Sequence, residues 1–266
     1  AGGDVRAVSA ARALGDHDSA DRFFECEFAL NALIASFPKP YVAFIDGNCF
    51  GGGMGISIHG LHRILGSKAV LAMPETAIGY FPDVGASYFL NRMQPALARF
   101  IGLTGYPLSV ADAHFTGLAT AYVPSQAHVQ MEAGLKAGTP FARLLVDLAE
   151  DPGESRLARH MDIVEHCFSR GSVREIMDGL DGQRGDFAAE ARAKLEYAAP
   201  SSLQETIVLL QRCAGLPLSE CLQMELDLAK RMTRAHDFSE GIRALLLDKD
   251  RNPRWSTCEE ERVHEC

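Results

Sequence analysis

Two carboxylates stand in an otherwise apolar stretch, Met73-Pro74-Glu75-Thr76-Ala77-Ile78-Gly79-Tyr80-Phe81-Pro82-Asp83-Val84-Gly85. Glu75 and Asp83 are eight residues apart in a segment broken by Pro and Gly, so both can be turned toward one pocket. A carboxyl group among apolar neighbours has its pKa raised, because desolvation disfavours the charged form, and that suits general acid–base work. The competing structural roles are Glu75 opening a helical turn after Pro74, and Asp83 capping a helix that contains Tyr88. A second feature is the glycine run Gly51-Gly52-Gly53-Met54-Gly55. Each Gly costs a helix about 1 kcal/mol against Ala, so the run asks for a compensating use. One use is close approach of backbone N–H groups to a ligand; at a helix start, unpaired N–H groups favour a developing negative charge, as an oxyanion hole does. Tight packing is the other, and composition alone leaves both open. A third feature, Ala1-Gly2-Gly3-Asp4, reads by composition as a frayed end,.

Other chemistries lack their residues. The glycine run fails the dinucleotide pattern Gly-x-Gly-x-x-Gly, because Ile56 and Ile58 stand at the last-Gly places, and it lacks the Gly-Lys-Ser/Thr of a phosphate loop,. His59 stands where a serine-hydrolase elbow around Ser57 needs Gly, so Ser57 reads as a helix residue,. The nine His are scattered with no His-Glu-x-x-His, so no metal site is expected,. The seven Cys are odd in number and form no Cys-x-x-Cys pair. They read as free thiols in a reducing intracellular compartment, with Cys49 and Cys213 buried and Cys258 and Cys266 exposed.

These groups must be held by elements that the pattern outlines. Apolar residues at near-helical spacing from Phe23 to Phe37 predict a helix over 20–37, ended by Pro38 and Pro40,. Tyr41–Ile45 predicts a buried strand, followed by turn chemistry at Asp46-Gly47-Asn48 and a helix opened by the glycines. Val70–Met73 and Ala119–Val123 predict further strands, with helices near 86–93, 95–103 and 109–115. From about residue 126 the pattern is helical, with helices over 155–168, 172–179, 185–198, 201–214, 217–234 and 237–247. Ser202 and Glu205 predict a capping box, and Asp151-Pro152-Gly153-Glu154 predicts a linker. The fold class is therefore α/β, with residues 1–150 as an α/β core, 151–255 as a helical region and 256–266 as a polar tail.

Gly47-Asn48-Cys49-Phe50-Gly51-Gly52-Gly53-Met54-Gly55, followed by Met73-Pro74-Glu75-Thr76-Ala77-Ile78-Gly79, resembles the crotonase (enoyl-CoA hydratase/isomerase) superfamily. Phe81-Pro82-Asp83-Val84-Gly85, Ser57-Ile58-His59-Gly60, His236-Asp237-Phe238-Ser239-Glu240-Gly241 and Asp248-Lys249-Asp250-Arg251-Asn252-Pro253-Arg254-Trp255 resemble its 3-hydroxyisobutyryl-CoA hydrolase branch. The resemblance implies a spiral of ββα repeats with a helical C-terminal region, and an oxyanion hole from the N–H groups of Gly3 and Gly52. It implies Glu75 and Asp83 as catalytic residues and Glu27 as a substrate contact. Superfamily hydratases carry a first Glu at the position held here by Gly55, which argues against enoyl-CoA hydration. The implied reaction is hydrolysis of 3-hydroxyisobutyryl-CoA in valine breakdown, with no cofactor beyond the CoA of the substrate. The alternatives are a hydratase or isomerase acting on another acyl-CoA, or an inactive crotonase-like fragment.

The resemblance also implies strands and a helix ahead of the Ala1-Gly2-Gly3-Asp4 motif, so the sequence is expected to be an N-terminally incomplete form, impaired and less stable than a complete homologue. The compartment expected is the mitochondrial matrix in a eukaryote or the cytoplasm in a bacterium. Over 266 residues, 47% hydrophobic and 23% charged residues describe an ordinary globular chain,. A net charge of −9 argues against a nucleic-acid partner,, and no stretch approaches a membrane span of about 20 apolar residues. Oligomeric state is not encoded in any motif, and a homo-oligomer fits.

Overall fold

A computed structural model describes residues 3–256. Cys258 and Cys266, expected to be exposed, lie outside the described residues. The chain opens with helices α1 (Val5–Ala13) and α2 (His17–Ala35). Each begins on an Asp whose carboxylate accepts a first-turn N–H, Asp4 from Ala7 and Asp16 from Ser19,. α2 buries Ala20, Phe24, Phe28, Asn31 and Ile34, the three-to-four spacing of one helix face,.

Next come β1 (Val42–Ile45), β2 (Asn48–Phe50), α3 (Gly52–Ile58), β3 (His62–Leu65) and β4 (Val70–Ala72). A single 3-10 turn (Glu75–Ile78) leads to α4 (Ala86–Phe89), α5 (Pro95–Thr104), α6 (Val110–Phe115) and β5 (Ala121–Tyr122). β1 pairs in parallel with β3 and β3 with β5, while β2 pairs separately and in parallel with β4. Two strands and a helix thus recur, each turn laid alongside the last, which is the expected ββα spiral. β2 departs from the turn expected at 46–48, because Asn48 already pairs with Val70. β3 has no clear strand pattern, with His62 and Arg63 at its start; pairing on both edges with β1 and β5 decides it,.

The remaining helices are α7 (His128–Lys136), α8 (Phe141–Leu148), α9 (Met161–Phe168), α10 (Val173–Asp181), α11 (Asp186–Tyr197), α12 (Pro200–Arg212), α13 (Leu218–Met232) and α14 (His236–Ile242). The helix expected over 155–168 begins only after a short 3-10 turn at Ala158–His160, because the Ser155 hydroxyl and the Leu157 N–H are committed to the Asp112 carboxylate at 2.6 and 2.9 Å. The capping box expected at Ser202 and Glu205 does not form. Pro200 takes the first helical position of α12 instead, the Ser202 hydroxyl is buried with no hydrogen-bond partner, and Ser201 donates to Asp237,. Cys49 and Cys213 are buried as expected. One apolar core runs from Val8 of α1 to Ile242 of α14 through both the spiral and the C-terminal helices. A smaller cluster of Ile64, Val123, Met131 and Leu144 packs under β3.

Candidate active site

The parallel β2–β4 pair brings two of the features together. Phe50 of β2 lies in register with Ala72 of β4, and the next N–H, of Gly51, donates to the Ala72 carbonyl at 3.4 Å. Both strands therefore end at one place, outside their carboxyl ends, where open α/β sheets bind ligands. From β2 the chain enters the glycine run, and from β4 it passes Pro74 to Glu75. Gly51 has φ +49°, and a Cβ there would lie 2.6 Å from Glu75 Oε1, so this position needs glycine on both counts,. Gly52 is the first residue of α3, where the N–H has no partner inside the helix,.

Glu75 is buried and opens its 3-10 turn, as its structural alternative required, yet its carboxyl is not used up there: Oε2 is buried with no hydrogen-bond partner. The turn is braced from behind by α14. A Cβ on Gly79 would lie 2.2 Å from the Asp237 carbonyl oxygen, and one on Gly241 would lie 2.3 Å from the Ile78 carbonyl carbon. The two backbones touch because both positions are glycine. Asp237 in turn accepts from the Ser201 hydroxyl at 2.6 Å and the Ser256 N–H at 2.7 Å.

Asp83 is buried, and Tyr80 Oη donates to its Oδ2 at 3.2 Å. It does not cap α4 with its side chain. The α4 N-terminus is served by Glu225 of α13, which accepts from the Gly85 N–H at 2.7 Å, the Ser87 N–H at 2.9 Å and the Ser87 hydroxyl at 2.5 Å. Between Asp83 and Gly85, Val84 has φ +53°, a strained conformation for a β-branched residue,. Its carbonyl lies 2.7 Å from Nε2 of His59. A carbonyl only accepts, so His59 carries the proton on Nε2. Burial holds the His59 pKa below its ordinary value, against the opposing pull of the Val84 bond.

α2 supplies the opposite side. Glu27 is half-buried, and a Cβ on Gly3 would lie 3.5 Å from its Oε1 and 2.7 Å from Phe23 Cζ. Gly3 itself is exposed, just ahead of α1. One turn after Glu27, Asn31 is fully buried with neither end of its amide hydrogen-bonded. A Cβ on Gly55 would lie 2.9 Å from Asn31 Nδ2 and 2.7 Å from Val84 Cβ. Phe24, Tyr80 and Phe238 complete an aromatic wall, with ring centroids 5.8 and 5.7 Å from Tyr80.

Four carboxyl groups thus lie close enough to feel one another, three of them buried and Glu27 half-buried. Burial is the main cause of each shift. It pushes Glu75 up to about 8, with the Glu27 charge adding to the effect. Glu27 is pushed up to about 7 by burial, and Glu225 to about 7 despite its three donors. Asp83 is driven well above the usual carboxylate range by burial and then by the charges of Glu27, Glu75 and Glu225, while the Tyr80 hydroxyl opposes. Like charges this closely linked titrate as a set. Perturbed carboxyls converging from α2, α13 and the loop after β4, one with an unpartnered oxygen, are the equipment that acid–base or nucleophilic chemistry requires,.

The model of the enoyl-CoA hydratase/isomerase family matches residues 1–265. The chain belongs to the enoyl-CoA hydratase/isomerase family. Among its relatives, the mitochondrial 3-hydroxyisobutyryl-CoA hydrolase of Rattus norvegicus is 41% identical over 265 residues, covering 96% of this chain and 69% of that protein. The Homo sapiens protein of the same name is 39% identical over 275 residues, covering 100% of this chain and 71% of that protein. The solved structure of a carnitinyl-CoA dehydratase from Mycobacterium thermoresistibile superposes with a TM-score of 0.90 at 35% identity, over 96% of this chain and 74% of that one. An enoyl-CoA hydratase from Rhodobacter sphaeroides gives 0.89 at 35% identity, over 99% and 77%. The crotonase fold expected from the sequence is thereby shown.

Within this family site, the sequence did not point to Tyr80, Asn31 or Glu225 as functional. Tyr80 lies in the Met73–Gly85 segment, but its bond to Asp83 depends on the loop. Asn31 looks like any polar helix residue until α2 is seen to bury that face. Glu225 is separated from Gly85 by 140 residues, and no local pattern connects them.

Proposed function

We propose that the chain is an acyl-CoA thioester hydrolase whose substrate is 3-hydroxyisobutyryl-CoA, released as 3-hydroxyisobutyrate and CoA in valine breakdown. The observation that carries this reading over hydration is the surroundings of Gly55. The resemblance places the first hydratase Glu there, but here any Cβ would meet Val84 and Asn31. The second carboxyl that joins Glu75 is instead Asp83, through the loop that Val84 occupies. The curated hydrolases at about 40% identity support the same choice.

In this reading the N–H groups of Gly3 and Gly52 receive the oxyanion of the tetrahedral intermediate, an interaction whose loss costs about 10²–10³ in rate. Glu75 attacks the thioester carbonyl to give a mixed anhydride, or takes a proton from an attacking water. The thiolate of CoA leaves and is protonated. In the direct route water supplies the second oxygen of the product acid. In the anhydride route water attacks the Glu75 acyl carbon and leaves its oxygen on Glu75, and the product departs with an oxygen that was Glu75's. Label from H₂¹⁸O in the Glu75 carboxyl is expected only for the anhydride. Asp83 orients the water or the substrate hydroxyl, and Glu27 binds that hydroxyl from the other side. The chemistry proposed needs no metal or redox cofactor, and CoA enters as part of the substrate. A homo-oligomer is compatible with this reading, and the compartment is that of the chain's source, mitochondrial matrix or bacterial cytoplasm.

A thiol reagent that traps released CoA tests the proposal. The purified protein is expected to release one thiol per 3-hydroxyisobutyryl-CoA consumed, and Glu75→Gln to lower kcat at least about a hundredfold. Loss of enoyl absorbance without free thiol would establish a hydratase instead, and full activity in Glu75→Gln would remove its role.

A further inference from the structure

His59 and Glu225 meet on a single peptide group. The Val84 carbonyl is bound by His59 and the adjoining Gly85 N–H by Glu225. Because that C=O and N–H belong to one plane, holding both ends fixes its rotation. The plane needs holding: Val84, fully buried, sits at φ +53°, where a β-branched side chain is strained,. Gly85 follows at φ +85°, and a Cβ there would lie 2.5 Å from His59 Cε1. The strain lies immediately beside Asp83, whose carboxyl accepts from Tyr80.

Capping a four-residue helix does not by itself account for Glu225. α4 spans Ala86–Phe89, and Ser or Asn ordinarily serves as such a cap without a buried charge. Glu225 is completely buried, so a carboxylate is kept there at a desolvation cost. Its two oxygens accept three hydrogen bonds, one from the Gly85 N–H and two from the N–H and hydroxyl of Ser87 in α4, a geometry that needs an acceptor at both oxygens. His59 comes from the end of α3, the helix that Gly52 opens, so the same clamp links the glycine run to the Asp83 loop.

We propose that His59 and Glu225 are positioning residues that hold the Val84–Gly85 peptide in its strained orientation and thereby keep the Asp83 carboxyl aimed into the acidic site. The proposal rests on the reading of Asp83 as a working group of that site. Glu225→Gln must place an amide nitrogen against an N–H of Gly85 or Ser87, two donors facing each other, and so releases the loop.

The test uses kinetics and hydrogen exchange on the purified protein. Glu225→Gln is expected to lower kcat about ten- to a hundredfold, the scale of a misplaced group, with KM changed less than about twofold. Amide exchange should quicken in residues 83–88 and stay unchanged in α5 and α12. The added variant Val84→Gly removes the strain that the clamp opposes, so Glu225→Gln/Val84→Gly should regain most of the lost kcat. A purely structural Glu225 predicts the reverse, because deleting a buried Val side chain would weaken the double variant further. The proposal is overturned if kcat and loop exchange are unchanged in Glu225→Gln, or if exchange rises across the whole molecule and Val84→Gly gives no rescue. If the unaltered protein releases no CoA, the hydrolase reading fails, and the exchange comparison still decides whether the clamp holds the loop.

Discussion

Glu75 joins two properties that pull against each other. Burial keeps its carboxyl protonated up to about pH 8, yet both chemical roles open to it need the carboxylate. Activity should therefore rise with pH through the titration of the acidic set, on a limb far above the range of a free Glu. The direction can be tested through Glu27, whose charge adds to the Glu75 shift. In Glu27→Gln the limb of kcat/KM against pH is expected to move down, because a like charge has been removed. KM should rise in the same variant if Glu27 holds the substrate hydroxyl. A pH profile that keeps its midpoint in Glu27→Gln would show that the two carboxyls do not share a site.

At the scale of elements, the Glu75 turn owes its position to α14, which lies far along the chain. Gly241 lets α14 lie directly on Ile78, and Gly79 lets the turn lie on Asp237. Gly241→Ala puts a methyl group 2.3 Å from a backbone carbon that no side-chain movement can relieve. It is expected to cost about 1–3 kcal/mol and lower Tm by about 2–4 °C per kcal/mol, and to lower kcat through displacement of Glu75. Calorimetry and a thiol-release assay on one preparation check both effects, and an unchanged Tm would refute the backbone contact. The same contacts show how far the sequence was legible. β1, β4 and most helices declare themselves by local pattern. The capping box expected at Ser202 does not form, because Pro200 starts α12 and the Ser201 hydroxyl donates to Asp237. The carboxylates and glycines of the site were visible as chemistry in an unlikely setting, and the resemblance assigned their roles. The contacts of Asn31, His59 and Glu225 were not visible, because they cross distances set only by the fold.

Across the whole molecule, the buried acids should govern how stability responds to pH. For Glu27, Glu75, Asp83 and Glu225 the folded pKa is raised. Between the ordinary carboxylate range and about pH 8 the native state therefore holds more protons than the unfolded chain, and stability falls as pH rises. Other groups act in the opposite direction at lower pH. Asp112 and Asp21 have lowered pKa values against the pull of burial, through the hydrogen bonds they accept, and Glu240 is held at about 2, chiefly by the Arg243 bond. Their contribution is lost as pH falls below the ordinary carboxylate range. His59, lowered chiefly by burial, adds stability as pH rises toward its unfolded value. The balance predicts maximal stability at mildly acidic pH, with Tm lower at pH 8.5 than at pH 5.5 by about 3 °C or more. Glu75→Gln keeps a neutral amide in place of a carboxyl that must ionise, so it should raise Tm at pH 8.5 more than at pH 5.5. Scanning calorimetry at the two pH values, on both forms, reads the difference directly. Equal changes at both would mean that the Glu75 carboxyl ionises as freely in the folded protein as in the unfolded chain, and its proposed poise near pH 8 would be lost with the stability argument.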